Sequence, residues 1–303
     1  MATDAAPRRR EWRDRAMLIN GMNGFGDSIL QRAFVRNLPT PLYLRTPWPQ
    51  LYSDFPGIHF VQPATRLRTQ CKNMARIKTA WVHPLREVPR EIRYGSEGIL
   101  TGMRRSFLVE PGVLDLPPLP ASPVGGNYVV VRPVTIRAEW RAVSRNPLPE
   151  YVARAAEVAS AAGLKVVSVA DLEPGLEWAL DPLPAADITF HNGELDVLSL
   201  LALVKNARAI IGGIGWIVPA AMASKTPAFI ICGGCGGFNH PTKITGPSID
   251  SSRIHFAIPD RMCMCTAMAH PCPSKRISGF EKHLGDFAGQ HFHLARGRRH
   301  GIR

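Results

Sequence analysis

Four soft metal ligands lie within ten residues of one another near the end of the sequence. They are Cys263, Cys265, His270 and Cys272. Thiolate sulfur and imidazole nitrogen are the usual ligands of structural zinc, and four protein ligands complete a tetrahedral shell. The Cys-x-Cys spacing is tighter than the common Cys-x-x-Cys, and reduced thiols without a metal are the alternative. We therefore predict a structural metal site, with zinc or iron as its ion.

A glycine-rich turn carries the candidate catalytic residue. The turn Gly24-Phe-Gly26-Asp27 follows the apolar run of residues 16–20, and apolar side chains then recur at helical spacing as far as Leu38. Asp27 is therefore expected in the first turn of a helix, where a carboxylate offsets the helix dipole. The functional alternative is a general base that takes the proton of an acceptor hydroxyl.

Two other stretches carry groups that suit a diphosphate. The loop Gly212-Gly213-Ile-Gly215 precedes a helical pattern, and backbone N–H groups at a helix start bind phosphate. Arg132, Ser144 and Arg145 end or follow the apolar run of residues 128–132, and guanidinium groups bind phosphate oxygens in bidentate pairs. The alternative for the glycine loop is that its glycines only permit a close turn from strand to helix. The alternative for the arginines is a basic loop exposed to solvent.

Apolar runs and helical patterns alternate along the chain and must position these groups. The predicted strands cover residues 16–20, 42–44, 128–132, 164–170, 187–190, 207–211 and 226–232. The predicted helices cover residues 27–38, 98–108, 149–162, 196–205 and 216–223. This alternation predicts an α/β protein with parallel sheets and ligands at the carboxyl ends of the strands. His191 follows one such strand and is a candidate contact for a base or ribose, with a surface histidine as the alternative.

The proline-rich segment of residues 114–126 is the best linker in the sequence. We predict a domain boundary there. Residues 1–120 would form an acceptor-side Rossmann-like domain. Residues 121–303 would form a nucleotide-sugar-binding Rossmann-like domain that ends in the Cys/His-rich segment.

Basic residues outnumber acidic ones, 37 Lys and Arg against 24 Asp and Glu, and the net charge is +13. This balance favours a polyanionic partner such as nucleic acid, an acidic membrane surface or a phosphorylated sugar. Part of the charge lies in two basic arms, at Arg8, Arg9, Arg10, Arg13 and Arg15 and at Arg296, Arg298, Arg299 and Arg303. No apolar run reaches the roughly 18 residues that a membrane span needs. The charged start also argues against an export signal, so we expect a cytoplasmic protein, in the host cytoplasm if it is viral.

From about residue 21 to residue 235 the sequence resembles the family nine glycosyltransferases, the ADP-heptose:lipopolysaccharide heptosyltransferase type. Gly24, Gly26 and Asp27 match the family's N-terminal signature. Residues 131–151 match its middle signature of a strand, a basic loop and a proline-led helix. The resemblance implies a GT-B fold, in which two Rossmann-like domains with parallel sheets face each other across a cleft. It also implies that Asp27 is the base and that Arg145 binds the diphosphate.

The late signature of the family is matched in its frame by residues 200–227. Its polar positions, which hold Asp, Thr and His in the family, carry Gly213, Ile214 and Val218 here. The match in spacing therefore indicates the fold and the reaction class, but it does not identify the donor sugar.

These observations predict an inverting glycosyltransferase that uses a nucleotide diphosphate sugar, either a UDP-sugar or an ADP-sugar. The acceptor we expect is the hydroxymethyl group of a modified pyrimidine in phage DNA. One alternative is a heptosyltransferase-like enzyme acting on lipopolysaccharide core sugars, with peripheral membrane contact. Another is a non-catalytic nucleic-acid-binding protein on a degenerate GT-B fold. An NAD-dependent enzyme is disfavoured because Arg45 stands where an acidic residue would bind the ribose.

Overall fold

The structure is a computed structural model, and it describes residues 16–292. The two basic arms predicted at the ends of the chain lie outside the described residues. No helix among residues 16–292 combines the length and the apolar character that a membrane crossing requires.

The first half of the chain forms a small parallel sheet with helices. Its elements are β1 (Met17–Asn20), α1 (Phe25–Val35), β2 (Leu42–Arg45), a 3-10 helix (Pro49–Tyr52), β3 (Ile58–Val61), α2 (Arg68–Arg76), β4 (Arg90–Glu91) and α3 (Ile99–Phe107). The strand order is β3-β2-β1-β4, and every neighbouring pair is parallel. The chain leaves β1 in one direction to β2 and β3 and later returns to its other side.

The second half forms a larger parallel sheet. Its elements are β5 (Tyr128–Arg132), β6 (Thr135–Arg137), α4 (Pro149–Ala161), β7 (Lys165–Val169), β8 (Glu177–Ala179), β9 (Ile188–Phe190), α5 (Val197–Asn206), β10 (Ala209–Gly213), α6 (Ile217–Ser224), β11 (Ala228–Ile231), α7 (Gly236–Asn239), α8 (Pro241–Ile244), β12 (Ile254–Ala257) and α9 (Phe280–His291). Strands β6 and β8 form a separate antiparallel ribbon.

The larger sheet has the order β12-β11-β10-β5-β7-β9. From β5 the chain runs outward to β7 and β9, and then returns to β10 on the other side of β5. The order therefore reverses between β5 and β10, and a crevice opens beyond the carboxyl ends of these two strands. Arg132 ends β5 and Gly213 ends β10, so the segments that sequence analysis selected lie at this reversal.

Every predicted strand and helix is present, with shifts of a few residues at the ends. The first helix begins at Phe25 and ends at Val35, where the prediction gave residues 27–38. Sequence analysis did not predict the strands β3, β4, β6, β8 and β12 or the helices α2, α7, α8 and α9. Helix α2 reads RTQCKNMAR, and only Gln70 and Asn73 of its residues are buried, so it has no apolar stripe that a periodicity search could find.

The two halves share one hydrophobic core. Buried residues of α1 and α3 from the first half join those of α5 and α6 from the second half in a single cluster. A second cluster lies on the opposite face of the larger sheet, under α4 and α9. Helices of both halves therefore supply packed side chains to the walls of the cavity between the halves.

The proline-rich segment predicted as a linker is packed against the first half. Leu114 and Val124 are buried, and Asp115 is bonded to Arg32 of α1. The segment lies between the last strand of the first sheet and the first strand of the second. The segment is therefore not the flexible linker that its prolines suggest, because its side chains are held by the first half. The domain boundary near residue 120 stays a prediction.

Arg32 is fully buried and ties three parts of the first half together. Its guanidinium donates hydrogen bonds to Asp54 at 2.8 and 3.0 Å and to Asp115 at 2.9 Å. It also bonds the carbonyl oxygen of Leu51. A buried guanidinium is stable only with such partners, because its desolvation is costly.

We predict that Arg32→Ala lowers the free energy of unfolding by about 3–5 kcal/mol, because two carboxylates and the carbonyl oxygens of Leu51 and Asp115 lose their shared cation. Urea unfolding monitored by circular dichroism measures the change. Arg36→Ala is the matched control, since Arg36 also bonds Asp115 but is partly exposed, and it should cost less than about 1 kcal/mol. Equal losses in the two variants would show that burial of Arg32 contributes nothing.

Candidate active site between the two halves

A cavity of about 560 Å³ lies between the two halves. Gly24, Gly26 and Asp27 of the first half line one wall, and Arg132, Arg145 and Gly215 of the second half line the other. The walls thus come from the carboxyl end of β1 on one side and from the crevice between β5 and β10 on the other. The structure brings these six predicted site residues to one cavity.

Asp27 is the third residue of α1, directly at the cavity. Gly24 leaves room for its side chain, because a Cβ atom at Gly24 would lie 2.5 Å from a carboxylate oxygen of Asp27. The carboxylate takes part in no hydrogen bond or salt bridge with any residue of the described chain. Burial raises the pKa of Asp27 to about 6, and the positive charge of Arg145 opposes part of this rise. The pKa of this carboxyl group therefore lies near neutral pH, as the pKa values of general bases do.

Arg132 and Arg145 place two guanidinium groups at the same cavity. Arg132 has one long contact, 3.5 Å to the hydroxyl of Thr135. Arg145 lies 5.4 Å above the ring of Trp140, and its Nε is buried without a hydrogen-bond partner among residues 16–292. Burial, followed by repulsion from Arg145 and Arg137, lowers the pKa of Arg132 to about 10. Both groups stay charged at neutral pH, so this wall holds positive charge that no carboxylate salt bridge in the described chain neutralises.

A network of charges closes one side of the cavity. Glu177 accepts from Arg137 at 2.8 Å and from Arg68 at 2.9 Å. Arg68 belongs to α2 of the first half and also pairs with Asp171 at 3.1 Å and Glu173 at 2.9 Å. The network therefore bonds the first half to the second at the rim of the cavity.

Helix α2 adds two more contacts of the same kind. Lys72 lies 2.7 Å from Asp171, and Arg76 donates to the carbonyl oxygen of Gly193 at 2.6 Å. Arg68, Lys72 and Arg76 are four residues apart, so they lie on one face of the helix. That face spans the cavity rim and contacts the loops after β7 and β9.

Four predicted site residues do not line the cavity. Ser144 is fully buried, and its hydroxyl donates to the carbonyl oxygens of Met268 and Ala267. His191 bonds Ser168 at 2.8 Å, and burial lowers its pKa. Gly212 and Gly213 are buried as the last two residues of β10.

Gly213 has a packing role in this position. A Cβ atom there would lie 2.7 Å from the ring of Pro147, so the glycine lets the segment after Arg145 approach β10. The two positions where the family signature has Thr and His, Ile214 and Val218, do line the cavity. The wall is therefore apolar where the family pattern has polar side chains.

Sequence analysis missed three notable residues of the cavity wall: Tyr94, Trp140 and Glu177. Trp140 stands in the arginine-rich loop that was singled out, and a tryptophan between arginines was the available signal. Tyr94 and Glu177 come from irregular stretches of the sequence, where no apolar period fixes the direction of a side chain.

The four predicted metal ligands converge on one point. The ligand atoms of Cys263, Cys265, His270 and Cys272 all lie within 4.8 Å of one another. The sulfur atoms of Cys265 and Cys272 are 3.7 Å apart, and the sulfur of Cys263 lies 3.8 Å from Nδ1 of His270. A tetrahedral zinc with bonds of about 2.3 Å to sulfur places its ligands roughly 3.8 Å apart. The spacing therefore fits a tetrahedral ion.

The segment of residues 263–272 packs against the segment that carries Arg145. The backbone N–H of Ser144 donates to the carbonyl oxygen of Met268 at 3.0 Å, and Gly234 donates to the carbonyl oxygen of Ser144 at 2.7 Å. The sulfur of Cys272 lies 3.8 Å from the same carbonyl oxygen. The Cys/His segment thus supports the residue next to Arg145, and Met268 itself reaches the cavity.

Solved structures share this architecture. TibC, an iron-containing dodecameric glycosyltransferase from enterotoxigenic E. coli, is 16% identical, covers 92% of this chain and 76% of its own, and has a TM-score of 0.58. A glycosyl transferase family 9 protein from Veillonella parvula is 10% identical over 92% of this chain and 97% of its own, with a TM-score of 0.52. The E. coli heptosyltransferase WaaC, solved with ADP-2-deoxy-2-fluoro heptose, is 11% identical over 91% of this chain and 99% of its own, with a TM-score of 0.51.

The chain has the GT-B fold. This confirms the expected fold class, and the likeness in fold extends to structures from family nine of the glycosyltransferases. No protein-family model and no curated protein matches the sequence. In a GT-B protein the cavity described above is the cleft between the two α/β halves.

We predict that Asp27→Asn stabilises the protein at pH 8 by about 1–3 kcal/mol, because the native cleft disfavours the carboxylate. The folded-state pKa of Asp27 is about 6, above the ordinary 3.8, so the native state binds the proton more tightly. The gain should therefore shrink as pH falls through 6 and vanish below about 4, where the group is protonated in both states. Urea unfolding at pH 4, 6 and 8 measures it, and a gain that is independent of pH would contradict the assignment.

Proposed function

We propose that the protein is an inverting glycosyltransferase that moves a sugar from a nucleotide diphosphate sugar to an acceptor hydroxyl. The observation that carries the proposal is the pairing, across one cleft, of the carboxylate of Asp27 with the guanidinium groups of Arg132 and Arg145. Within residues 16–292 the carboxylate has no hydrogen bond, and neither guanidinium group has a salt bridge. The GT-B fold of the chain supports the same reading.

The cleft can divide the reaction between its two walls. Arg132 and Arg145 bind the diphosphate and offset the charge that grows on it as the sugar leaves. Gly215 lies beside them, since a Cβ atom there would be 3.6 Å from Arg132 Nη1, and its backbone gives close access to a phosphate. Asp27 takes the proton of the acceptor hydroxyl while that oxygen attacks the anomeric carbon from the face opposite the diphosphate.

The donor we favour is an ADP-sugar. TibC was solved with ADP-D-β-D-heptose, at 16% identity and a TM-score of 0.57, and WaaC with an ADP-heptose analogue. Ile214 and Val218 make part of the wall apolar. At these two positions the wall therefore offers the transferred sugar, hexosyl or heptosyl, no hydrogen-bonding side chain.

The acceptor we favour is a saccharide hydroxyl, such as a lipopolysaccharide core sugar, in place of the DNA acceptor expected from the sequence. Duplex DNA would need free cations at the rim of the cleft to follow its phosphates. Arg68 and Lys72 at that rim are instead engaged with Asp171, Glu173 and Glu177. The basic arms that favoured DNA lie outside the described residues and add no support.

For the metal, we propose that Cys263, Cys265, His270 and Cys272 hold one zinc or iron ion in a structural site. Their spacing fits a tetrahedral ion, and four protein ligands leave no open position for substrate. The ion would pin residues 263–272 and, through the contacts with Ser144, the segment that carries Arg145. TibC is described as iron-containing.

The test of function is transfer by the purified protein from ADP- and UDP-sugars to lipopolysaccharide and to hydroxymethylated DNA, read as mass added to the acceptor. We expect transfer to lipopolysaccharide from an ADP-sugar, rising with pH as Asp27 loses its proton near pH 6. Asp27→Asn should slow turnover by roughly 100-fold to 10,000-fold and keep donor affinity.

The control for that experiment is Asp286→Asn, which removes an exposed carboxylate that pairs with Lys282 on the same helix and should leave turnover unchanged. Full turnover by Asp27→Asn would refute the role of Asp27. Absence of transfer with every donor and acceptor, by a protein that folds, would refute the transferase itself.

The test of the metal site is elemental analysis of the purified protein. We expect about one equivalent of zinc or iron, reduced strongly by Cys272→Ser together with the thermal midpoint. Cys71→Ser is the control, because Cys71 is an exposed cysteine on α2, away from the cluster. A content below about one-tenth equivalent in the unmodified protein would reject the site.

A further inference from the structure

Glu177 is a buried carboxylate in the wall of the cleft that holds Arg132, Arg137 and Arg145, which we call the arginine wall. It lies in β8, and its side chain is only 2% exposed. A buried carboxylate is stable only when cations or hydrogen-bond donors surround it. The partners of Glu177 therefore decide how much of its negative charge acts on the arginine wall.

Two of these partners belong to the same half of the chain as Glu177. Nε of Arg137 donates to Oε2 of Glu177 at 2.8 Å, and the hydroxyl of Thr135 donates to Oε1 at 3.0 Å. The same hydroxyl accepts a long contact from Arg132, at 3.5 Å. Burial lowers the pKa of Arg132, and the negative charge of Glu177 opposes part of this change. Glu177 therefore acts on both arginines, and its charge competes there with that of a bound anion.

The third partner of Glu177 comes from the other half of the chain. Nη2 of Arg68, in α2, lies 2.9 Å from Oε2 of Glu177, and only 13% of the Arg68 side chain is exposed. Oε2 thus lies between two guanidinium groups, one from each half. Arg68 itself does not line the cavity, so it can affect a ligand only through its neighbours.

The salt bridges around Glu177 join equal numbers of positive and negative groups. Arg68 also pairs with Asp171 at 3.1 Å and Glu173 at 2.9 Å, and Lys72 pairs with Asp171 at 2.7 Å. Within residues 16–292 the network has three cations and three carboxylates: Arg68, Lys72, Arg137, Asp171, Glu173 and Glu177.

Because these charges cancel, the positive charge of Arg132 and Arg145 is left to attract an anion. Without Arg68 the network would hold one carboxylate charge in excess. Asp171 would keep Lys72 as its partner, and Glu173 is partly exposed to solvent. The excess charge would therefore be felt most at Glu177, beside the arginine wall.

We propose that Arg68 is a positioning residue for the donor: from the first half of the chain it neutralises Glu177, so that the arginine wall binds a diphosphate at full strength. In any state in which the two halves separate, Arg68 leaves with α2, and the charge of Glu177 then acts on Arg137 and Arg132 alone. The diphosphate affinity of the second half therefore depends on its contact with the first half. This inference rests on the proposed function, because it takes the cleft as the site of the donor.

The test is calorimetric titration of the full-length protein with ADP in the absence of acceptor. Arg68→Gln should weaken ADP binding about tenfold, because one uncompensated negative charge then lies beside the diphosphate. Arg68→Gln combined with Glu177→Gln should restore the affinity to within about threefold of the unmodified protein, since one cation and one carboxylate are removed together. Thermal unfolding followed by circular dichroism verifies that both variants fold.

Two single variants separate the charge of Arg68 from its contacts. Arg68→Lys retains the charge and should bind ADP within about threefold of the unmodified protein. Arg154→Gln is the control for loss of a cation, because Arg154 is outside the cavity wall and pairs with Glu157 and Glu281, and it should leave ADP binding unchanged.

Three results would show that the proposal is wrong. One is equal ADP affinity of Arg68→Gln and the unmodified protein. Another is an Arg68→Lys variant that binds as weakly as Arg68→Gln. The third is a double variant that binds no better than Arg68→Gln, since the loss would then come from the broken contact between the halves and not from the charge of Glu177.

ADP binding is measured apart from sugar transfer, so this proposal and the proposed function can fail separately. If the variants bind ADP as expected but the protein transfers no sugar, the transferase function is wrong and the role of Arg68 stands. If transfer occurs and Arg68→Gln binds ADP normally, the role of Arg68 is wrong and the function stands. Arg145→Gln should lose ADP binding, and an unchanged affinity in that variant would refute both.

Discussion

Helices α1 and α6, one from each half of the chain, meet at their amino ends. A Cβ atom at Gly26 would lie 3.0 Å from Cα of Trp216 and from the ring of Pro219, so any side chain there would push the two helices apart by a few tenths of an ångström. The ring of Phe25 fills the space beside it, 5.1 Å from Trp48 and 5.7 Å from Trp216 between ring centres. Because α1 carries Asp27 and α6 follows the crevice between β5 and β10, this contact sets the width of the cleft.

The local elements around the cleft could be predicted from the sequence because each has a local cause. Glycines before an amphipathic pattern require a turn into a helix, and β-branched runs such as residues 128–132 require buried strands. Asp27 and Arg145 therefore reached the cavity as expected. Helix α2 could not be predicted, because its polar residues satisfy neither period and its position depends on charges from the other half.

The site residues that sequence patterns placed wrongly relative to the cavity share one cause. A pattern locates a residue on a strand end or loop, but the direction of its side chain depends on tertiary neighbours. Ser144 follows the same strand as Arg145, yet its hydroxyl turns to Ala267 and Met268, over a hundred residues away in sequence. The Cys/His segment was predicted as a metal site, and only the structure shows that it packs behind Arg145.

Helix α2 crosses the rim of the cleft with a row of three cations, each one turn from the next, that hold acidic and carbonyl groups of the opposite half. When one of these contacts breaks, the other two still hold the helix in place, so the broken contact can form again. A molecule that enters the cleft between α2 and the opposite half must break several ion pairs at once. Because dissolved ions weaken such pairs, we expect higher ionic strength to weaken the contact between α2 and the opposite half, without any change in the groups that line the cleft.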